Sequence, residues 1–304
     1  RGAHATPQGQ GPVRPVPVSQ GKRKRSGGVW RVVFIVSLIV FLCAAGALAF
    51  IGYGYWHGQQ NNKQLEQIGF NAPDASELQR TDLASFTVDW DALRAINPDV
   101  VGWIYVPGTT VNFPIVHGTD DEHYLKTDFY GQTSWVSFGS IFLSAANAGD
   151  FSDANNIVYG HHMNDGSMFS PFADFGDADT FNGHRTVYVF TPAANYQLTT
   201  FSIVHCAADD PLAQTAFASE QERQAYVQDK VDRSVVTVAG LPSAADMKHT
   251  FAFSTCDNLA SNGRWVLFAY ESGSTAAASA VADDSSINPE DVAAVSEAAK
   301  ETAA

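Results

Sequence analysis

From Val32 to Ile51 the chain runs for 20 residues without a charged side chain. Wound as a helix at 1.5 Å per residue, such a run covers about 30 Å, the thickness of a bilayer's hydrocarbon core. Lys22-Arg23-Lys24-Arg25 precedes it, and Trp30, Tyr53, Tyr55 and Trp56 flank its ends. Basic residues stay on the cytoplasmic side and aromatic residues settle at the interfaces. The pattern therefore predicts a single transmembrane helix, with the N-terminus in the cytoplasm and everything after Trp56 outside the cell. A cleaved signal peptide is the rival reading, because Ala47-Leu48-Ala49 resembles a small-residue cleavage site. The run is longer than a signal core and continues into the aromatic belt, which favours the anchor.

Charge divides the chain at the same place. Residues 1–31 carry seven basic and no acidic side chains. Residues 32–304 carry 11 basic and 32 acidic ones, a net charge of −21. So acidic a main body argues against nucleic-acid binding.

The expected organisation is a basic, disordered cytoplasmic tail over 1–28, the transmembrane helix over 29–56, and a linker over 57–88 with short helices near Asn62–Ile68 and Ala75–Ala84. A main domain over 89–272 and an acidic, Ala-rich flexible tail over 273–304 complete it. In that tail Asn288-Pro289 could open a short helix. The main domain begins with a helix over Asp89–Ile96, stopped by Asn97-Pro98. About eight short strands follow: Val101–Val106, Val111–Val116, Ser140–Leu143, Asn156–Tyr159, Thr186–Phe190, Gln197–His205, Thr250–Cys256 and Arg264–Tyr270. Turn signals separate most of them, which predicts a mainly β fold closed, or nearly closed, into a barrel with peripheral helices. Ser219-Glu-Gln-Glu222 reads as a capping box opening a helix that runs to about Arg233, inside a long insertion over 208–248.

The last two strands form a hairpin across the loop Asp257–Gly263. Symmetric pairing places Cys256 directly opposite Arg264, with Cβ atoms about 4.5–5.5 Å apart. Alternation puts Ala252, Ser254 and Cys256 on one face and Phe251, Phe253 and Thr255 on the other. Upstream, the strand Asn156–Tyr159 ends at Gly160 and presents His161-His162. A thiol, an imidazole and a guanidinium are the groups needed for acyl transfer through a thioester. Taken singly, each residue has a plainer reading: a buried strand cysteine, a surface histidine, a hairpin charge. Cys206 and Cys256 could form a disulfide in an oxidising compartment, while Cys43 lies within the apolar run. Adjacent histidines without a Cys-x-x-Cys or His-Glu-x-x-His pattern make a poor zinc site, so neither metal nor cofactor is expected. His117, His123, His184, His205 and His249 have no motif around them and read as structural or surface residues.

The segment Asn156-Ile-Val-Tyr-Gly-His161-His162-Met163, with Ser254-Thr-Cys256 and then Arg264, resembles the class B sortases. The resemblance runs from about Asp89 to Tyr270. It includes Ile96-Asn-Pro-Asp-Val-Val-Gly-Trp103, Val106-Pro-Gly-Thr109, Phe113-Pro-Ile-Val116, Tyr124-Leu125, Asp128-Phe-Tyr130, Gly139-Ser-Ile-Phe-Leu143 and Asp165-Gly-Ser-Met-Phe169. It implies an eight-stranded sortase-type barrel and a helix in the insertion before the Cys strand. It also implies Cys256 as nucleophile, His161 as catalytic histidine and Arg264 as the essential arginine, with His162 outside the catalytic set. Two departures stand out: Ala252-Phe253 where the family usually has Thr-Leu, and Trp265 where many relatives have a second basic residue.

The activity so implied is cleavage of a C-terminal sorting signal on a secreted protein through a Cys256 thioester. The acyl group then passes to an amine, from a cell-wall precursor peptide or a pilin lysine. Two other classes fit the same residues: a cysteine endopeptidase that uses water as acceptor, and a membrane-tethered surface module without catalysis.

Overall fold

The computed structural model describes residues 27–70, 72–73, 78, 81–133, 138–210, 214–257 and 262–277. The basic N-terminal stretch, most of the expected Ala75–Ala84 helix and the Asn288-Pro289 segment lie outside them. Contacts divide the chain after Phe50: the apolar part of the first helix belongs to one unit, and Ile51 onward belongs to the other.

Helix α1 runs unbroken over Gly27–Gly69. It is long and apolar enough to cross a membrane by length and composition. The helix expected near Asn62–Ile68 is its final turns. No proline interrupts the stretch, and from Gly54 to Gly69 partly buried positions recur every three or four residues, the spacing of one helical face. Leu65 and Gly69 end that face against the barrel, where Leu65 is buried and a Cβ on Gly69 would collide with Trp103.

A 3-10 turn over Leu83–Ser85 and helix α2 (Trp90–Ile96) lead into the barrel. Asp89 caps α2 by accepting from the Ala92 amide at 2.9 Å. The strands are β1 (Val100–Tyr105), β2 (Asn112–His117), β3 (Ile141–Leu143), β4 (Asn155–Tyr159), β5 (Thr186–Phe190), β6 (Ala194–Cys206), β7 (Thr250–Cys256) and β8 (Arg264–Ala276). They close in the order β1-β2-β3-β4-β7-β8-β6-β5. The pairs β2–β3 and β4–β7 are parallel, and every other pair is antiparallel. Short helices α3 (His123–Lys126), α4 (Pro171–Asp174) and α5 (Ala178–Gly183) sit in the connections, and α6 (Glu220–Asp232) lies between β6 and β7.

β6 and β8 are longer than their sequence suggests, 13 residues each. The Ser272-Gly273-Ser274 stretch reads as a strand end, yet its pairing with the start of β6 carries β8 on to Ala276.

Side chains alternate between two environments. Val158, Ile203, Phe251, Phe253, Leu267 and Ala269 fill the barrel interior. Ile157, Val204, Ala252, Val266 and Phe268 point outward and are covered by Tyr226 and Val227 of α6. On another part of the wall, Leu65 and Phe70 cover Trp103 and Phe190, with the Phe70 and Phe190 rings 4.9 Å apart.

Candidate active site

The outward face of β4, β7 and β8 gathers the candidate residues Cys256, Arg264 and His161. β4 and β7 run parallel, with Ile157 beside Ala252 and Tyr159 beside Ser254. A further bond, from the Gly160 amide to the Ser254 carbonyl at 3.1 Å, extends the ladder past β4. Ile157, Ala252 and Val266 face outward. Period-two alternation from them puts Cys256 and Arg264 on that same face and, one step beyond the strand end, His161. Cys256 is the direct register partner of Arg264, as the hairpin spacing predicts.

Gly160 is required by packing. A Cβ there would lie 2.5 Å from Ile141 Cδ1 and 2.6 Å from Phe169 Cδ2, so only glycine lets the chain pass over the core and still deliver His161 to the rim.

Arg264 has register partners on both sides: Cys256 on β7 and Cys206 on β6. The two cysteines are thus separated by two strand spacings, about 9.5 Å, whereas a disulfide needs Cα atoms within about 7 Å. Both thiols are free, and the disulfide reading falls away. Burial pushes the Cys206 thiol up, and Asp210 adds to it, against the opposing pull of Arg233, Lys230 and Arg264. The Arg264 guanidinium donates through Nη1 to the carbonyls of Gly263 at 3.2 Å and Asn262 at 3.4 Å. Its other N–H groups have no partner among the described residues.

The His161 ring rests in a cradle that the sequence did not announce. Its Nε2 bonds the Leu125 carbonyl at 2.6 Å. A carbonyl only accepts, so Nε2 carries the hydrogen, and Nδ1 is left to take up or release a proton. Gly139 forms the other wall. Its φ is +56°, and a Cβ on it would sit 2.7 Å from the Tyr124 carbonyl, 2.8 Å from the Leu125 carbonyl and 2.9 Å from His161 Cδ2. Glycine meets both demands there. No hydrogen bond joins the His161 ring to the Cys256 thiol among the described residues.

His162 also contributes. Its Nδ1 bonds the Cys256 carbonyl at 3.0 Å, tying the β4 exit to the end of β7. Asp257 is buried beside the thiol strand and meets His205 Nε2 at 2.9 Å, while the His205 ring stacks on Trp265 with centroids 4.4 Å apart. Trp265 also presses against Gly176, so it packs the barrel rim. His162 and Asp257 stand directly beside recognised residues in sequence, and their adjacency was the available signal. For Leu125 the signal was the resemblance at Tyr124-Leu125 alone, because the contact of its carbonyl with His161 depends on tertiary packing.

No family model matches the chain. Sortase B of Listeria monocytogenes is 28% identical over 222 residues, spanning 71% of this chain and 87% of that protein. Sortase B of Staphylococcus aureus is 30% identical over 169 residues, spanning 56% of this chain and 68% of that protein. Among solved structures, sortase B of Bacillus anthracis superposes with a TM-score of 0.61 at 27% identity, covering 72% of this chain and 98% of that one. A mutant form of Clostridium perfringens sortase B gives 0.56 at 28% identity, covering 60% and 85%. Sequence and barrel lead to one conclusion: the chain belongs to the class B sortases and is a cysteine transpeptidase of that family.

Proposed function

We propose that Cys256 is the nucleophile, His161 the proton carrier and Arg264 the oxyanion donor of a membrane-anchored transpeptidase that works outside the cell. The Cys256 thiolate attacks a backbone carbonyl of a C-terminal sorting signal, and N–H groups of Arg264 receive the charge that develops on oxygen. His161, held through Nε2, gives a proton from Nδ1 to the departing amine and later takes one from the incoming amine. The new amide bond attaches a surface protein to the cell wall or to another protein. The apolar length of α1 supports the anchor.

One observation carries this reading: Cys256 on β7 is the direct register partner of Arg264 on β8, and β7 pairs in parallel with β4, the strand that leads to His161.

The test incubates the full chain in detergent with a library of sorting-signal peptides, with and without a small amine. Mass spectrometry should find an acyl adduct on Cys256 and, with amine, a ligated product. Cys256→Ala should lose both. Peptide release unaffected by the amine would point instead to an endopeptidase. Full activity in Cys256→Ala would refute the assignment.

A further inference from the structure

We infer that the polar half of α1, from Tyr55 to Asn61, is a positioning element of the active site, because it clamps both walls of the cradle that holds the His161 ring. The inference rests on the assignment of His161 as the proton carrier.

The first clamp acts on the loop that follows the histidine pair. Gln59 Nε2 donates to Asp165 Oδ2 at 3.0 Å. Asp165 in turn holds its own loop by accepting from the Ser167 amide at 3.1 Å and the Ser167 hydroxyl at 2.6 Å. The Phe169 amide then returns to the His161 carbonyl at 2.9 Å, so the loop that Gln59 grips starts and ends on His161.

The second clamp acts on the opposite wall. Asn61 and His57 approach the Asp128 carboxylate closely enough to oppose the rise that burial imposes on it. Asp128 organises the turn after α3 by accepting from the amides of Tyr130 at 3.0 Å and Gln132 at 2.8 Å. Three residues before it is Leu125, whose carbonyl binds His161 Nε2. Alongside, the Tyr55 ring meets the buried Phe138 ring edge-on at 5.6 Å, and Gly58 admits Phe138 where any Cβ would collide with it. Phe138 directly precedes Gly139, the residue that closes the cradle over His161 Cδ2.

One hydrogen-bonded clamp, one aromatic contact and the approach of Asn61 to Asp128, all from seven residues of α1, therefore converge on a single imidazole. Neither clamp contacts the reacting groups. Their loss should displace the ring, and a misplaced proton carrier lowers turnover more than it lowers binding.

The experiment uses the full chain in detergent and compares Gln59→Ala combined with Asn61→Ala, Asp165→Ala, Asp165→Asn and His161→Ala. Readouts are kcat and KM for transpeptidation of a sorting-signal peptide, the pH profile of kcat, and the melting temperature. We expect kcat of the double variant and of Asp165→Ala to fall about tenfold, with KM within twofold and the histidine limb of the pH profile displaced. Asp165→Asn keeps one acceptor oxygen of the two and should lose clearly less kcat than Asp165→Ala. A double variant with parental kcat and pH profile overturns the inference. So does a loss of kcat that leaves the pH profile unmoved and is not rescued in Asp165→Asn, since that marks a structural effect alone. His161→Ala separates the two levels: parental activity there removes the catalytic reading itself, whereas its collapse beside an unaffected double variant removes only the positioning role.

Discussion

The role proposed for Arg264 depends on the shape of one side chain. It lies between two sulfur-bearing strands, with part of its fork spent on the carbonyls of Asn262 and Gly263. Lysine would keep the charge and lose the planar set of donors. Arg264→Lys should therefore lower kcat by about 10²–10³, the loss seen when a single oxyanion donor is removed, with a smaller change in KM. Steady-state kinetics on a folded variant decide it, and a kcat within threefold of the parent would count against the role. His162 invites a finer comparison. Asparagine places an N–H near the position of Nδ1, whereas alanine leaves the Cys256 carbonyl without this donor. His162→Asn should retain most of the turnover that His162→Ala loses, measured as kcat under the same conditions.

At the scale of elements, the β4 exit is the most demanding joint. Gly160→Ala pushes a methyl group into Ile141 and Phe169, and overpacking of this kind costs about 1–3 kcal/mol. The variant should melt several degrees lower and lose activity out of proportion to that, because His161 follows directly; thermal melts paired with kcat at 20 °C would show it. Much of this joint was legible in the sequence. A strand ending in glycine, a hairpin that sets Cys256 against Arg264, and Ser219 as a helix cap all rest on short-range rules, and Ser219 Oγ does accept from the Glu222 amide at 3.2 Å. The capping box closes differently than expected, since Glu222 reaches the Ala218 amide at 2.7 Å. What escaped depends on partners distant in sequence. The extension of β8 through Gly273 follows from its pairing with β6. The union of two expected helices into α1 follows from a face that packs on the barrel, and the bond from Leu125 to His161 joins residues 36 positions apart. The helix α5 had no cue beyond Asp177, which caps it by accepting from the Thr180 amide at 2.9 Å.

Across the whole molecule, acid sensitivity should concentrate where β7 begins. Burial alone would raise the Glu271 carboxyl, but Ser274 and His249 outweigh it and hold the group below its ordinary value. His249 Nδ1 meets Glu271 at 2.6 Å, and its Nε2 reaches the Phe151 carbonyl at 2.9 Å, so the ring links β8 to the approach to β4. For a carboxyl depressed in the folded state, the stability it contributes is complete above the unfolded value and drains away as pH falls through the folded one. Glu271→Gln should accordingly lower the melting temperature by about 2–4 °C at pH 7 and by much less at pH 3. Equal shifts at both pH values would contradict this linkage.

The excursion bearing α6 leaves the barrel from β6 and re-enters at β7, two strands that are not neighbours because β8 lies between them. It secures itself with its own fastening: Arg223 reaches back to the carbonyls of Ala244, Ala245 and Met247. This flank can thus vary in sequence while Cys256, at the far end of β7, and His161, beyond β4, keep their places in the ladder. Chimeras exchanging it between homologues should inherit the donor's taste in peptides while keeping the recipient's reactivity.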